Sequence, residues 1–379
     1  MTEVYVGTAG LPYMKIAPLM TAANIRRGWK VKDTVAATFD VAKTDPIFST
    51  MYERDLLRLG NTVIIESEDL PTWVGFMSRP EWSLGTGTVK VTAKEAASIL
   101  KERPTSKEFQ VSDDSANVFR RLIAEANLNP TGISASKVPE SGGMVTLDLS
   151  SAYVYDALNE MCAASGQEWW IEPETIGNSL ILTAYLRKWR GEDKSARVML
   201  TDGENGGLLS GTSYAHDDKL LANSVTVVGG ASLGGGFALR PSATVSVTGQ
   251  GLPIQRESLA YDDAQLITVS QSKIDKITPW LTPSTSRDVI SIQPTLSDKA
   301  TVAGQAVSVL DNVYRGPEEL TAVVSLPSGR LANVGVGDVI AVQSDELGPD
   351  GIAKPFRIME MSPDESVGTC VLQMIAWES

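Results

Sequence analysis

One stretch of this chain occurs twice. Trp73–Glu95 and Phe356–Glu378 are both 23 residues long and align without a gap at an offset of 283; Pro80, Ser83, Gly85, Thr86, Ala93 and Glu95 meet Pro363, Ser366, Gly368, Thr369, Ala376 and Glu378. Apolar Leu84, Val89 and Val91 face Val367, Leu372 and Met374 in the same alignment. Upstream, Leu59–Ile65 resembles Val336–Val342 at an offset of 277, which leaves a loop six residues longer in the second copy. Surface loops tolerate such length changes. A repeat split by so much chain calls for two similar units bracketing whatever lies between them. The competing explanation is that two β meanders with similar turns look alike.

The repeated texture is β. Thr62-Val63-Ile64-Ile65-Glu66, Trp73-Val74-Gly75-Phe76-Met77 and Thr88-Val89-Lys90-Val91-Thr92 are rich in β-branched and aromatic residues and are separated by turn chemistry at Asp69-Leu70-Pro71 and Leu84-Gly85-Thr86-Gly87. A short helix is expected between Asp45-Pro46 and Leu59-Gly60. The matching strands near the end are Ala322–Ser325, Asp338–Val342, Phe356–Met361 and Cys370–Ile375. Each set suits a small antiparallel barrel.

Between them the pattern changes. Ser112-Asp113-Asp114-Ser115 can cap a helix from about Ala116 to Asn127, with Val118, Phe119, Leu122, Ile123 and Ala126 at helical spacing. Ser150-Ser151 precedes a second helix carrying Tyr153, Ala157, Leu158, Met161 and Cys162, with Gly166 placed to end it. Glu168–Glu172 and Ser179–Leu186 read as a hairpin. From Arg197 to Gln293 the chain reads as strand and turn, clearest at Asn223–Val228 and Ala243–Thr248, and a further helix is expected over Ser297–Tyr314.

A single core rarely outgrows roughly 250–300 residues, so a chain of 379 predicts several domains. The expected fold class is α+β, predominantly β. The expected division is 1–107 as a first β-barrel, 108–196 as a two-helix α+β module, 197–293 as a β-rich domain with a glycine-rich loop, and 294–379 as a helix plus a second barrel.

Charge and rare residues exclude much chemistry. The single histidine, His216, lies in a polar stretch that reads as a solvated turn, so a Ser-His-Asp triad, a Cys-His dyad or a histidine zinc site has at most one imidazole to draw on. Cys162 and Cys370 form no C-x-x-C motif, and no disulfide is expected. The glycine-rich loop Gly229–Gly236 lacks a Gly-Lys-Ser/Thr ending and runs into Pro241, so it reads as a flexible loop rather than a phosphate cradle. No apolar run reaches about 18 residues, and the start has no basic segment leading into an apolar one. The expectation is a soluble protein made without a secretion signal.

Net charge is −13, which argues against general nucleic-acid binding. It is unevenly spread: residues 1–107 carry 14 Lys+Arg and 12 Asp+Glu, a net of +2, leaving 19 against 34, or −15, for residues 108–379.

The domain order resembles the baseplate hub family of tailed bacteriophages and the hub part of the type VI secretion spike. The residues that carry the resemblance are Leu59–Ile65 leading to Trp73–Phe76, the helices around Val118–Ile123 and Tyr155–Met161, the strand Asn223–Gly229, and Val336–Ile340. The resemblance implies a homotrimer whose paired barrels ring the tail axis. It implies a distal tail or tail tube protein on one side, a tip, spike or fibre protein on the other, a tape-measure protein nearby, DNA only in transit, assembly in the host cytoplasm, and a place in the virion without stable membrane insertion. The chain departs from many relatives in stopping at Ser379 soon after the second barrel, so a piercing or enzymatic part is expected on a separate chain.

Two other classes compete. A carboxylate glycosidase or depolymerase needs neither histidine nor metal, and Glu168, Glu172 and Glu174 beside Trp169-Trp170 are its best candidates. The plainer reading has those tryptophans alternating across a strand, one into the core and one at an interface, beside solvated glutamates. A carbohydrate receptor-binding module would use exposed tryptophans and the glycine-rich loop. The reading adopted is a structural, non-enzymatic tail protein with no catalytic, cofactor or metal residues assigned.

Overall fold

The computed structural model describes residues 2–8, 11, 13–48, 55–68, 70–176, 179–203, 205–216, 318–326, 329–348 and 351–377, with the backbone of four strands between 224 and 293. The first unit contains β1 (Glu3–Gly7), β2 (Tyr13–Pro18), β3 (Ala23–Arg26), β4 (Trp29–Lys30), β5 (Ala37–Ala42), β6 (Thr62–Glu66), β7 (Trp73–Trp82) and β8 (Thr88–Glu95). Hydrogen bonding runs β2-β1-β6-β7-β8-β5-β3, every pair antiparallel. Where a short helix is expected before β6, the described residues form 3-10 turns at Pro46–Phe48 and Asp55–Leu57, and residues 49–54 lie outside the described residues.

The apolar run in β6 is explained by what lies on its two faces. Val63 and Ile65 point into the barrel core with Phe39, Val89 and Val91, while Ile64 points the other way into the core of the helical module. Trp73 and Val74 divide in the same manner on β7. Period-two alternation therefore makes this sheet a wall between two cores. β8 has only one buried face, so Val89, Val91 and Ala93 alternate with exposed Thr88, Lys90 and Lys94.

The module holds β9 (Gln110–Asp114), α1 (Ser115–Ala126), β10 (Ile133–Lys137), β11 (Met144–Asp148), α2 (Val154–Ser165), β12 (Glu168–Ile176) and β13 (Ser179–Arg187). Asp114 caps α1 by accepting the Ala116 N–H at 2.9 Å, as its sequence position implied. Gly166 ends α2 in the left-handed region at φ 66°, where a side chain would be strained. The hairpin expected at 168–186 is β12 against β13, with β10 parallel to β13, and β13 also meets β2.

The second barrel closes. β14 (Met199–Asp202), β15 (Gly207–Leu208), β21 (Glu318–Ser325), β24 (Thr369–Ala376), β23 (Ile352–Asp364) and β22 (Val339–Ser344) pair in that order, and β22 returns to β14. Two of its walls thus come from within the stretch expected to stand apart as 197–293, and β16 (Ser213–His216) adds to β21 as well. The remaining strands of that stretch, β17 (Ser224–Gly229), β18 (Ser242–Val247), β19 (Gln265–Val269) and β20 (Asp288–Gln293), make their own sheet in the order β19-β18-β17-β20. The helix expected at Ser297–Tyr314 lies outside the described residues, as does the glycine-rich loop beyond Gly229.

The repeat is present in the fold, but two residues away from the sequence alignment. Gly75↔Glu95, Met77↔Ala93, Arg79↔Thr92 and Pro80↔Val91 on β7 and β8 become Phe356↔Ala376, Ile358↔Met374, Glu360↔Gln373 and Met361↔Leu372 on β23 and β24, an offset of 281 throughout. Both hairpins carry a bulge at the matching place, between Met77 and Arg79 and between Ile358 and Glu360. β6 and β22 correspond at 277, as expected, since Thr62↔Phe76 matches Val339↔Arg357; the extra loop is therefore four residues (281 − 277), not six. The turn identities that suggested 283 are a slip of two, which leaves every side chain on its original face and so is invisible to hydrophobic patterning.

The barrels are joined by hydrogen bonds. The outer half of β23 leaves β22 and pairs with β3 and β4 of the first barrel, and buried residues of both barrels form one continuous cluster.

Candidate functional site

The two barrels and the helical module meet at a charged junction around a cleft of about 570 Å³. β12 supplies Glu168, whose two oxygens accept Arg357 Nη1 at 2.9 Å and Nη2 at 2.5 Å from β23. Arg357 also donates Nε to the Gly337 carbonyl at 3.2 Å and Nη2 to the Arg190 carbonyl at 3.1 Å, and Glu168 accepts the Arg190 N–H at 2.8 Å. Both side chains are nearly buried. A bidentate charge pair in low dielectric is strong only when its remaining donors find partners, and each of the three guanidinium nitrogens here has an acceptor.

Backbone contact sets this geometry. A Cβ on Gly337 would lie 2.4 Å from the Arg190 carbonyl oxygen, and one on Gly191 would lie 2.2 Å from the Gly337 carbonyl carbon, with φ values of +95° and +89°. Only glycine fits either place. Next to it, buried Asp338 accepts the N–H groups of Glu192 and Gly335, each at 2.8 Å, and Lys194 Nζ at 2.7 Å.

The tryptophan pair splits as alternation requires. Trp169 enters the module core and donates to Asn159 at 2.8 Å. Trp170 faces the cleft, stacked on Tyr185 at 5.3 Å with 5° between planes, and donates to Glu172 at 2.7 Å. Glu174 accepts the Tyr185 hydroxyl at 3.2 Å. The glutamates expected to be solvated are instead structural: Glu168 is held in a clamp, and Glu172 and Glu174 fix neighbouring aromatic groups.

Glu95 at the end of β8 lines the same cleft and accepts the Val35 N–H at 3.0 Å. Burial pushes its carboxyl up to about 7, against the opposing pull of that hydrogen bond and of Arg190. Burial lowers Arg190 in turn, while Glu95, Glu172, Glu168 and Asp338 favour its charge. Nothing in the sequence pattern singles out Arg190, Asp338 and Arg357 as a cluster, although Gly337-Asp338 falls in the Val336–Ile340 segment that carries the family resemblance.

His216 ends β16 opposite Glu318, a strand position rather than a turn. Cys162 and Cys370 are free and buried, and burial pushes both thiols up, that of Cys370 to about 12. Among the described residues no helix is long and apolar enough to cross a membrane. Exposed apolar side chains gather at the hairpin tips of both barrels: Trp82, edge-on to Phe48 at 5.3 Å, and Leu84 on the first, Val367 on the second.

No family model and no curated relative matches the sequence. Solved structures do match over the whole chain. A tail protein from Neisseria meningitidis MC58 aligns with 100% of this chain and 97% of its own, at 15% identity and a TM-score of 0.58. A prophage tail protein from Listeria monocytogenes EGD-e aligns over 98% and 94% at 11% identity and 0.57. An Escherichia coli component of the type VI secretion system, described as structurally similar to T4 bacteriophage tail proteins, aligns over 95% and 74% at 8% identity and 0.51. From end to end, this chain has the fold of these phage tail and secretion-system proteins.

Proposed function

We propose that this chain is a structural component of a phage tail tip or baseplate, three copies of which form a hub ring joining the sixfold tail tube or distal tail ring to threefold tip components. The observation that carries the reading is likeness along the full chain to proteins named as tail proteins, combined with two equivalent barrels in one subunit. Three such subunits present six similar barrels, which lets a threefold object meet a sixfold one. The proposed division has the barrels as ring elements, the two-helix module and the 224–293 sheet as inserts, and Met199–His216 as part of the second barrel.

The partners under this reading are further copies of the chain, a tail tube or distal tail protein, a tip or fibre protein and a tape-measure protein. Assembly takes place in the host cytoplasm, and the finished location is the virion. Its work is done by interfaces, and it is not an enzyme: Glu168 is fully engaged by Arg357. The −15 on residues 108–379 suits a lumen wall that repels DNA in transit. Light scattering on the full chain tests the ring: the expected mass is three times 40.6 kDa, and a stable dimer would sink it. Release of reducing sugar from host envelope, lost on Glu168→Gln, would favour the glycosidase instead.

A further inference from the structure

One face of the β12–β13 hairpin carries an aromatic pair with a cation at each ring. Trp170 lies opposite Tyr185 and Glu168 opposite Arg187, so alternation puts these four side chains on one face, away from the module core that Trp169 and Leu186 enter. The rings of Trp170 and Tyr185 are stacked at 5.3 Å. The Arg187 guanidinium lies 5.8 Å from the Tyr185 ring, and that of Arg190 lies 5.8 Å from the Trp170 ring. Trp170, Tyr185 and both arginines line the 570 Å³ cleft.

The two guanidinium groups lack acceptors. Each has five N–H donors and can accept nothing. Arg357, in the same junction, finds an acceptor for every guanidinium nitrogen. Among the described residues the side chains of Arg187 and Arg190 have their ring contacts but no hydrogen bond and no ion pair. Glu95, Glu172, Glu168 and Asp338 sustain the charge on Arg190 from a distance, but each is engaged elsewhere. Glu168 holds Arg357, Glu172 accepts the Trp170 indole N–H, Glu95 accepts the Val35 N–H, and Asp338 holds Lys194 and two backbone N–H groups. The donors left over in this cleft are therefore cationic ones.

We propose that the cleft binds an extended acidic peptide segment of a partner protein, whose carboxylates accept hydrogen bonds from Arg187 and Arg190 across the Trp170–Tyr185 stack. A guanidinium held against a ring keeps its N–H groups for a ligand, and its planar fork matches a carboxylate. Laid end to end, the three intervals of the stack reach no further than about five residues of extended chain, so one short segment can meet both cations. A lone phosphate or carboxylate would fill only a small part of such a cleft, and a net charge of −13 disfavours nucleic acid. The site lies within one chain and does not depend on the ring reading above.

The test measures fluorescence anisotropy of fluorescein-labelled hexaglutamate with the full-length chain at low salt, with thermal unfolding to confirm that each variant is folded. Wild type is expected to bind saturably, and Arg187→Gln/Arg190→Gln at least about tenfold more weakly. Arg190→Lys, which keeps the charge but not the fork, falls between them. Glu192→Gln removes an exposed carboxylate from the cleft lining and is expected to bind more tightly than wild type. Unlabelled hexaglutamate displaces the probe and hexaglutamine does not. No binding by wild type up to about 1 mM, or equal affinity for wild type and the double variant, overturns the assignment. Displacement by inorganic phosphate as effective as by hexaglutamate at equal charge overturns the peptide and leaves a small-anion site. Should the double variant melt early, Arg187→Gln alone, at an exposed position, takes its place, and an unchanged affinity for it overturns the assignment.

Discussion

Glu168 and Arg357 lie 189 positions apart and form a two-pronged ion pair that fastens the helical module to the second barrel. Removing one partner strands the other charge in a nearly dry site. Arg357→Ala is therefore expected to cost about 3–5 kcal/mol, whereas Arg357→Met combined with Glu168→Leu recovers most of that loss. A double-mutant cycle by urea unfolding measures both numbers.

Glu95 makes stability fall as pH rises. Its folded pKa is raised to about 7 from an ordinary 4.5, so between those values the folded state holds a proton that the unfolded state has lost. The contribution is complete below about pH 4.5 and disappears as pH passes through about 7. Glu160, also raised to about 7 by burial and by Asp148, acts in the same sense, so the comparison must be with Glu95→Gln and not with the absolute slope. Between about pH 5 and pH 8, wild type should lose on the order of 1–3 kcal/mol more than Glu95→Gln in denaturant titrations.

Glycines 337 and 85 both have positive φ, 95° and 79°, but only the first has a neighbour in the way. Gly337→Ala drives a methyl into the Arg190 carbonyl and should cost at least about 3 kcal/mol. Gly85→Ala meets open space and should cost about 1 kcal/mol, the backbone penalty alone. Melting midpoints of the two variants separate collision from conformation.

Asp114 caps α1 through the Ala116 N–H and also accepts the Gly142 N–H and the Ser141 hydroxyl. Asp114→Ala is expected to destabilise by about 1–2 kcal/mol, and Asp114→Asn by less, because the amide oxygen still caps. Equilibrium unfolding of the two variants checks the order.

Local signals in the sequence carried the elements whose causes are local. The Asp114 cap, the Gly166 stop, and the alternation of Val89, Val91 and Ala93 each depend on a few neighbouring residues, and each is present. The repeat was legible as a repeat but not in register, because Pro80 and Pro363 align at 283 while the ladder runs at 281 and both offsets satisfy the same in-out pattern. The junction was illegible for a different reason. Arg190, Arg357 and Asp338 look like ordinary surface charges until the chain brings remote backbone against them, and nothing near Glu168 in sequence says that a guanidinium will arrive. The borrowing of β14 and β15 by the second barrel is equally non-local, since Met199–Asp202 finds its partner in β22.

The pairing of His216 with Glu318 means that the described chain leaves the second barrel and re-enters it on the two sides of a single rung. The four-stranded sheet of β17, β18, β19 and β20 therefore lies within a single connection between two paired strands of that barrel. An insert joined at one rung can change in length without changing the strand order of the closed ring. The same scaffold can therefore carry different inserts while its barrels keep a fixed geometry.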